Sequence, residues 1–226
     1  MLTHGKHTTK ILSKWYKHFG IDHVFIDATP EFTKKSSKKI DQQQEFISLE
    51  ELRNFIMETD VCGLKKFARH TVFSDGDPSS RIMLIGEAPG EQEDIQGKPF
   101  VGQSGQLLDS MLKSVGLSRE DTYITNIVFW RPPGNRTPSP DEIVMCMPYV
   151  KEHIRLINPR ILLLLGGVAA KAILNTSDGI TKTRGNISKF QDINAVPTFH
   201  PAYLLRSPGQ KALAFNDMIK MKKLLT

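Results

Sequence analysis

The sequence predicts an α/β protein: a three-layer α/β/α sandwich around a central, mainly parallel four-stranded sheet. Three observations carry this expectation. Short apolar runs alternate with longer segments of helical spacing, the order produced by successive βαβ units. The runs are continuously apolar and not alternating, which suits strands covered on both faces. Glycine, proline and helix-capping residues fall at the junctions between the two kinds of segment, where turns and helix starts require them.

The elements follow in order. Residues 1–45 stand apart as an N-terminal helix and polar linker, ahead of one domain spanning 46–226. Residues 8–19 (TTKILSKWYKHF) suit a short amphipathic helix ended by Gly20. Residues 27–44 are polar, interrupted by Pro30, and carry four lysines in six residues, a linker composition. Those lysines read first as a solvated stretch, with a loose phosphate contact as the sharper alternative. Ser48-Leu49-Glu50-Glu51 is a capping-box pattern that opens a helix running to about Thr59. Arg81–Gly86 is the first strand, and a helix begins at Ser104 and runs to Val115, with Gly116 as its left-handed terminator. Tyr123–Phe129 is the second strand. Ser139-Pro140-Asp141-Glu142 then supplies an N-cap, a proline at the first helical position and a glutamate three residues past the cap. That helix reaches Ile157, where Asn158-Pro159 stops it. Arg160–Leu165 is the third strand, followed by Gly166-Gly167 and a helix to Leu174. Val196–Phe199 is the fourth, and Ser207-Pro208 opens a closing helix to about Leu224.

Composition narrows the function classes. The 226 residues are 39% hydrophobic and 24% charged, as in a globular protein and unlike a disordered or fibrous one. The longest apolar run, Ile161 to Ala170, falls well short of the ~20 residues a membrane-spanning helix needs. With no apolar or Arg-rich leader the expected location is the cytoplasm. Two cysteines, Cys62 and Cys146, cannot build a disulfide framework and fit a reducing compartment. The net charge of +6 tilts toward an anionic partner such as nucleic acid.

In open parallel sheets, ligands bind beyond the carboxyl ends of the strands, and the unusual sequence falls there. Gly86-Glu87-Ala88-Pro89-Gly90 follows the first strand, setting one carboxylate between glycines where a ligand would approach. The segment lacks the Gly-Lys-Ser/Thr of a Walker loop and the GxGxxG spacing, which argues against a nucleotide or dinucleotide site. Asn126 interrupts the second apolar run, and a buried amide needs partners for its donors and its acceptor. The Watson–Crick edge of a base is one such partner. Phe100, between Gly97 and Gly102, reads either as loop packing or as a stacking platform. His200, opening His200-Pro201-Ala202-Tyr203-Leu204-Leu205-Arg206, reads either as structural or as part of a site. Ser104 could cap its helix or help its amides bind a phosphate. Gly166-Gly167 serves close backbone approach or simply tight packing.

Together, GEAPGEQEDIQGKPFVGQSGQLLD, ITNIVFWRPPGNR with the following PSPDEI, and HPAYLLR closely resemble the type-4 enzymes of the uracil-DNA glycosylase superfamily, over about residues 60–224 and in the family's order. The resemblance implies a uracil-DNA glycosylase-like fold and a monofunctional hydrolase of base excision repair. Such an enzyme releases uracil from damaged DNA and leaves an abasic site. It also implies roles. Glu87 would place or activate the attacking water, and His200 would donate toward uracil O2. Phe100 would stack on the extruded base, Asn126 would bond its Watson–Crick edge, Gly86 would line the same site, and Glu93 would crowd C5 against thymine's methyl. Arg131, Pro132, Pro133, Asn135 and Arg136 would form a rigid basic loop gripping the backbone, an ordinary turn being the plain alternative. Leu204, Leu205 and Arg206 are the candidates for the wedge that fills the vacated stack.

The sequence departs from the family in one respect. Type-4 enzymes typically hold a [4Fe–4S] cluster on four cysteines, and here Cys62 and Cys146 keep the first and fourth positions while Lys65 and Trp130 stand at the second and third. Four thiolates make such a site, so the expectation is no cluster and no other metal or cofactor, with the two cysteines as small buried hydrophobes. The expected partner is uracil-containing DNA, met by a monomer with no membrane. The rival reading is a weak or inactive glycosylase-like DNA-binding module of replication or repair; a wider pocket admitting other deaminated bases is a third.

Overall fold

Local sequence explains the first helix directly. Ser48 Oγ accepts the Glu51 backbone N–H at 3.1 Å, and the Glu51 carboxylate accepts the Ile47 N–H at 2.7 Å, so two orphan donors are satisfied at the start of α1 (Leu49–Glu58). The computed structural model describes residues 45–225, all within one compact unit. The helix expected over 8–19 and the linker over 27–44 lie outside the described residues.

Among the described residues the sheet has six strands: β1 (Asp75–Gly76), β2 (Ile82–Gly86), β3 (Tyr123–Asn126), β4 (Ile161–Leu165), β5 (Ser188–Phe190) and β6 (Ile193–Thr198). Their spatial order is β1-β3-β2-β4-β6-β5. The four inner strands are parallel and are the four the sequence predicts; the two extra strands are short antiparallel edges. With two and three partly exposed residues, the edges have no apolar run by which a sequence could reveal them. The second strand ends at Asn126 and not at Phe129. Beyond it the chain stays buried but irregular, the N–H groups of Ile127 and Val128 donating to the carbonyls of Gly86 and Glu87.

Continuous burial of the inner strands has the expected cause. Met83, Ile85, Leu162 and Leu164 face one layer, with residues of α1, α4 (Pro140–Ile157) and α5 (Gly167–Leu174). Ile82, Leu84, Leu163 and Leu165 face the other, with residues of α3 (Gln103–Ser114), α7 (Pro201–Arg206) and α8 (Lys211–Lys223). Alternate side chains of each strand therefore enter opposite cores. Ser139 caps α4 as its sequence requires, accepting the Glu142 N–H at 3.3 Å while Glu142 accepts the Ser139 N–H at 2.7 Å, and Asn158 ends the helix in the left-handed conformation. Two short helices, α2 (Glu91–Gln96) and α6 (Ile180–Thr183), are too brief for a periodic signal. No helix among the described residues is long and apolar enough to cross a membrane.

Two buried polar groupings stiffen the layers. His153 Nε2 shares a 2.6 Å hydrogen bond with the Tyr123 hydroxyl, and its ring stacks on Phe73 at 4.3 Å. On the opposite face, the fully buried Asp217 accepts from Arg184 and, at 2.9 Å, from Thr198 Oγ1, tying α8 to the end of β6.

Candidate active site

The parallel register brings the strand ends level: Gly86 is paired with Asn126, and Leu165 with Thr198. Above them opens a cavity of about 590 Å³, whose lining includes Glu87, Glu93, Phe100, Asn126, His200 and Arg206. Residues spread over more than a hundred positions thus meet in one place. Gly86, expected to line the site, is not among the lining residues and lies against Phe100 and Asn126. A Cβ there would lie 2.5 Å from Phe100 Cζ and closer still to Asn126 Oδ1, so the ring and the amide occupy the space a side chain would take.

Asn126 is 1% exposed, and its Oδ1 has no hydrogen-bond partner among the described residues. Such an acceptor, left unpaired, costs about 1–3 kcal/mol, and a donor within the cavity would remove that cost. The Phe100 ring lies beside it, 5.7 Å from the His200 ring and tilted by 31°. His200 is the N-cap of α7: its Nδ1 accepts the Ala202 N–H at 3.1 Å, which leaves the ring proton on Nε2. Burial pulls its pKa down to about 4, helped by the nearby Arg206, so the ring is neutral near pH 7. Gly166, at φ +95°, passes close behind; a Cβ there would come 3.0 Å from His200 Cβ, which gives that glycine a specific packing role.

Of the three carboxylates lining the cavity, Glu87, Glu91 and Glu93, the first and last differ in setting. Glu87 is raised above the usual carboxylate range by burial, opposed in part by the Thr137 hydroxyl. Glu93 is fully engaged: Oε1 accepts the N–H groups of Val101 and Gly102 at 2.9 and 2.8 Å, and Oε2 accepts that of Gly90 at 3.1 Å. Thr137 and Tyr203 also line the cavity and were not singled out by sequence. Tyr203 lies inside a recognised motif, whereas nothing in the sequence distinguishes Thr137.

At the cavity's rim the expected DNA-contacting residues divide. Pro132, Asn135, Arg136, Leu205 and Arg206 border it. Arg131 and Pro133 stand outside, Arg131 donating to Asn135 Oδ1 at 2.7 Å, and Arg136 is paired to Glu142 through two bonds. Leu204 is fully buried in the core with α3 and α8, while Leu205 is 41% exposed. Ser104 borders the cavity too, although the N-cap of α3 is Gly102.

Residues 73–221 match the family described as the uracil DNA glycosylase superfamily. The chain belongs to that superfamily. It is 39% identical over 186 residues to the type-4 uracil-DNA glycosylase of Sulfurisphaera tokodaii, covering 78% of this chain and 84% of the relative. The type-4 enzyme of Saccharolobus solfataricus is also 39% identical, over 189 residues, with 79% and 87% covered. That of Thermotoga maritima is 38% identical over 184 residues, with 78% and 96% covered.

These similarities correct one expectation, that the chain lacks a cluster. They set it among the type-4 proteins, for which the resemblance implies the group, so absence does not follow from the two substituted positions. The physical reason is that two substituted positions speak for themselves and not for every donor a cluster could draw on. Locally, Cys62 and Cys146 are buried in mutual hydrogen-bond contact, which lowers the Cys62 thiol and raises that of Cys146. The Lys65 ammonium donates to the carbonyls of Met57 and Thr59 at 2.7 and 3.0 Å, and Trp130 Nε1 to Thr71 Oγ1 at 2.9 Å. Two thiols do not match a four-thiolate set, and among the described residues no group of three or more His, Cys, Asp or Glu is arranged for a metal.

Proposed function

We infer that this protein is a uracil-DNA glycosylase, a monofunctional hydrolase that cleaves the N-glycosidic bond of deoxyuridine in DNA. The observation carrying the reading is the unpaired, buried Asn126 oxygen in a cavity shared with the Phe100 ring and a neutral His200. An extruded uracil stacks on Phe100, gives its N3–H to the Asn126 oxygen, and takes the amide N–H at O4. Cytosine presents the reverse pattern at those two atoms and would leave buried polar groups unpaired, which discriminates strongly. Extrusion itself costs a few kcal/mol.

As the bond from C1′ to N1 breaks, its electron pair leaves with the base and spreads to O2, where His200 Nε2–H donates. The sugar becomes oxocarbenium-like, and the Glu87 carboxylate stabilises that charge and directs a water onto C1′, taking up a proton as the new C–O bond forms. Both groups act on charge that develops only in the transition state. Glu93 walls the C5 side of the ring. Leu205 is the side chain available to fill the vacated stack, with Arg206 and the Pro132–Arg136 loop beside the phosphates. One extruded base per protein requires no symmetry, so we propose action as a monomer, and the setting we propose is the cytoplasm.

The test is a labelled oligonucleotide carrying one deoxyuridine, incubated with the protein and then treated with alkali. Scission at the uracil is expected, together with no scission before alkali. Intact DNA after alkali would refute the activity and leave a binding module.

A further inference from the structure

We propose that Arg119, which lies outside every recognised motif and does not line the cavity, is the positioning residue that sets the base-stacking platform. Phe100 has φ +54°, in the left-handed region that a bulky residue adopts only when its surroundings impose it. The surroundings are explicit. The Arg119 guanidinium donates to two successive carbonyls, that of Pro99 at 3.1 Å and that of Phe100, and is anchored by Asp75 at 2.9 Å and Asp109 at 3.0 Å. From the other side the Glu93 carboxylate holds the next two amides, Val101 and Gly102. One cation and one carboxylate thus grip four consecutive residues through their backbones.

Helix α3 closes the third side. A Cβ on Gly105 would lie 3.0 Å from Phe100 Cα and closer still to its carbonyl, so only a glycine lets the helix approach the Phe100 peptide this closely. Without Arg119, the two carbonyls lose their donors and Phe100 is free to relax toward negative φ. That rotation carries the ring away from Gly86 and Asn126. Arg119 therefore acts on the reaction through Phe100, without touching a base. A lysine offers one point charge and cannot fork to two carbonyls and two carboxylates.

This inference rests on Phe100 being the stacking surface, and a double-mutant cycle separates the two claims. R119Q is expected to lower single-turnover uracil excision by about 10- to 100-fold, the scale of a misplaced site group. Affinity for an oligonucleotide bearing an abasic site, with no base to stack, is expected to stay within about twofold. In the F100A background R119Q is expected to add less than about twofold, because its intermediary is gone. An equal loss in both backgrounds, or a loss below about twofold in the parent, would overturn the proposal; so would a matching loss of abasic-site affinity, the mark of a merely structural role. Should R119Q fail to fold, R119K carries the same cycle with an intermediate loss. If F100A alone costs nothing, the platform reading fails and takes this proposal with it.

Discussion

Gly86→Ala separates site geometry from stability. The new methyl would stand 2.5 Å from Phe100 Cζ and 2.7 Å from Phe100 Cε2, and still nearer Asn126 Oδ1. Ordinary contact begins near 3.4 Å, so ring and amide must each retreat by roughly 1 Å. The three nearest atoms all belong to side chains, so the cost to the fold belongs at the low end of overpacking, about 1 kcal/mol. That corresponds to a melting-temperature drop of roughly 2–4 °C for a domain of this size. The cost to the reaction is larger, because a 1 Å misplacement can remove on the order of 100-fold in rate. Thermal denaturation and single-turnover excision on one preparation measure the two effects. Activity within about threefold of the parent would refute the reasoning, since the amide and the ring would then have moved without consequence.

Asn126→Ala removes the base-reading amide, and excision is expected to fall by about 10- to 100-fold, the value of one to two buried hydrogen bonds; rapid-quench kinetics would show it, with binding of undamaged DNA unchanged. Burial raises Glu87 and the reaction needs its ionised form, so the rate should fall with decreasing pH along an acid limb centred above the usual carboxylate range, and Glu87→Gln should abolish that limb. His200, held at about 4, should contribute no inflection near pH 6.5, and one that disappears in His200→Gln would contradict its assigned protonation state. His153 is lowered to about 3 by burial; the unfolded chain therefore binds its proton first, and stability should decline as pH falls from about 6.5 toward that value. Urea denaturation at pH 7 and pH 5 should show a smaller difference in His153→Phe than in the parent. Asp217→Ala strips a fully buried carboxylate from Arg184 and Thr198, and chemical denaturation should report a loss of about 3–5 kcal/mol.

The four inner strands were legible because each is an uninterrupted apolar run, and α1 and α4 because Ser48 and Ser139 announce their caps in residue type and spacing. Strands β1 and β5 were not, being short and partly exposed, with pairing set by their neighbours and not by their own composition. In the candidate site, Glu87, Phe100, Asn126 and His200 each stand out as an odd residue at the end of an apolar run or within a glycine-rich loop, but only the resemblance to a family joined them into one site. That Leu204 is buried while Leu205 is exposed depends on how the single turn-and-a-half of α7 packs, which six residues cannot encode by periodicity. Arg119 was invisible for a similar reason: its partners are backbone carbonyls, and a carbonyl leaves no mark in a sequence. The expected absence of a cluster does not stand beside the type-4 relatives, since two substituted positions speak only for themselves.

A crystal structure of the protein with uracil is the most direct measurement of the central claim. It should show the ring parallel to Phe100, N3 and O4 against the Asn126 amide, and O2 within hydrogen-bond distance of His200 Nε2. Uracil bound away from these three side chains, or seated in the cavity with its Watson–Crick edge turned from Asn126, would contradict it.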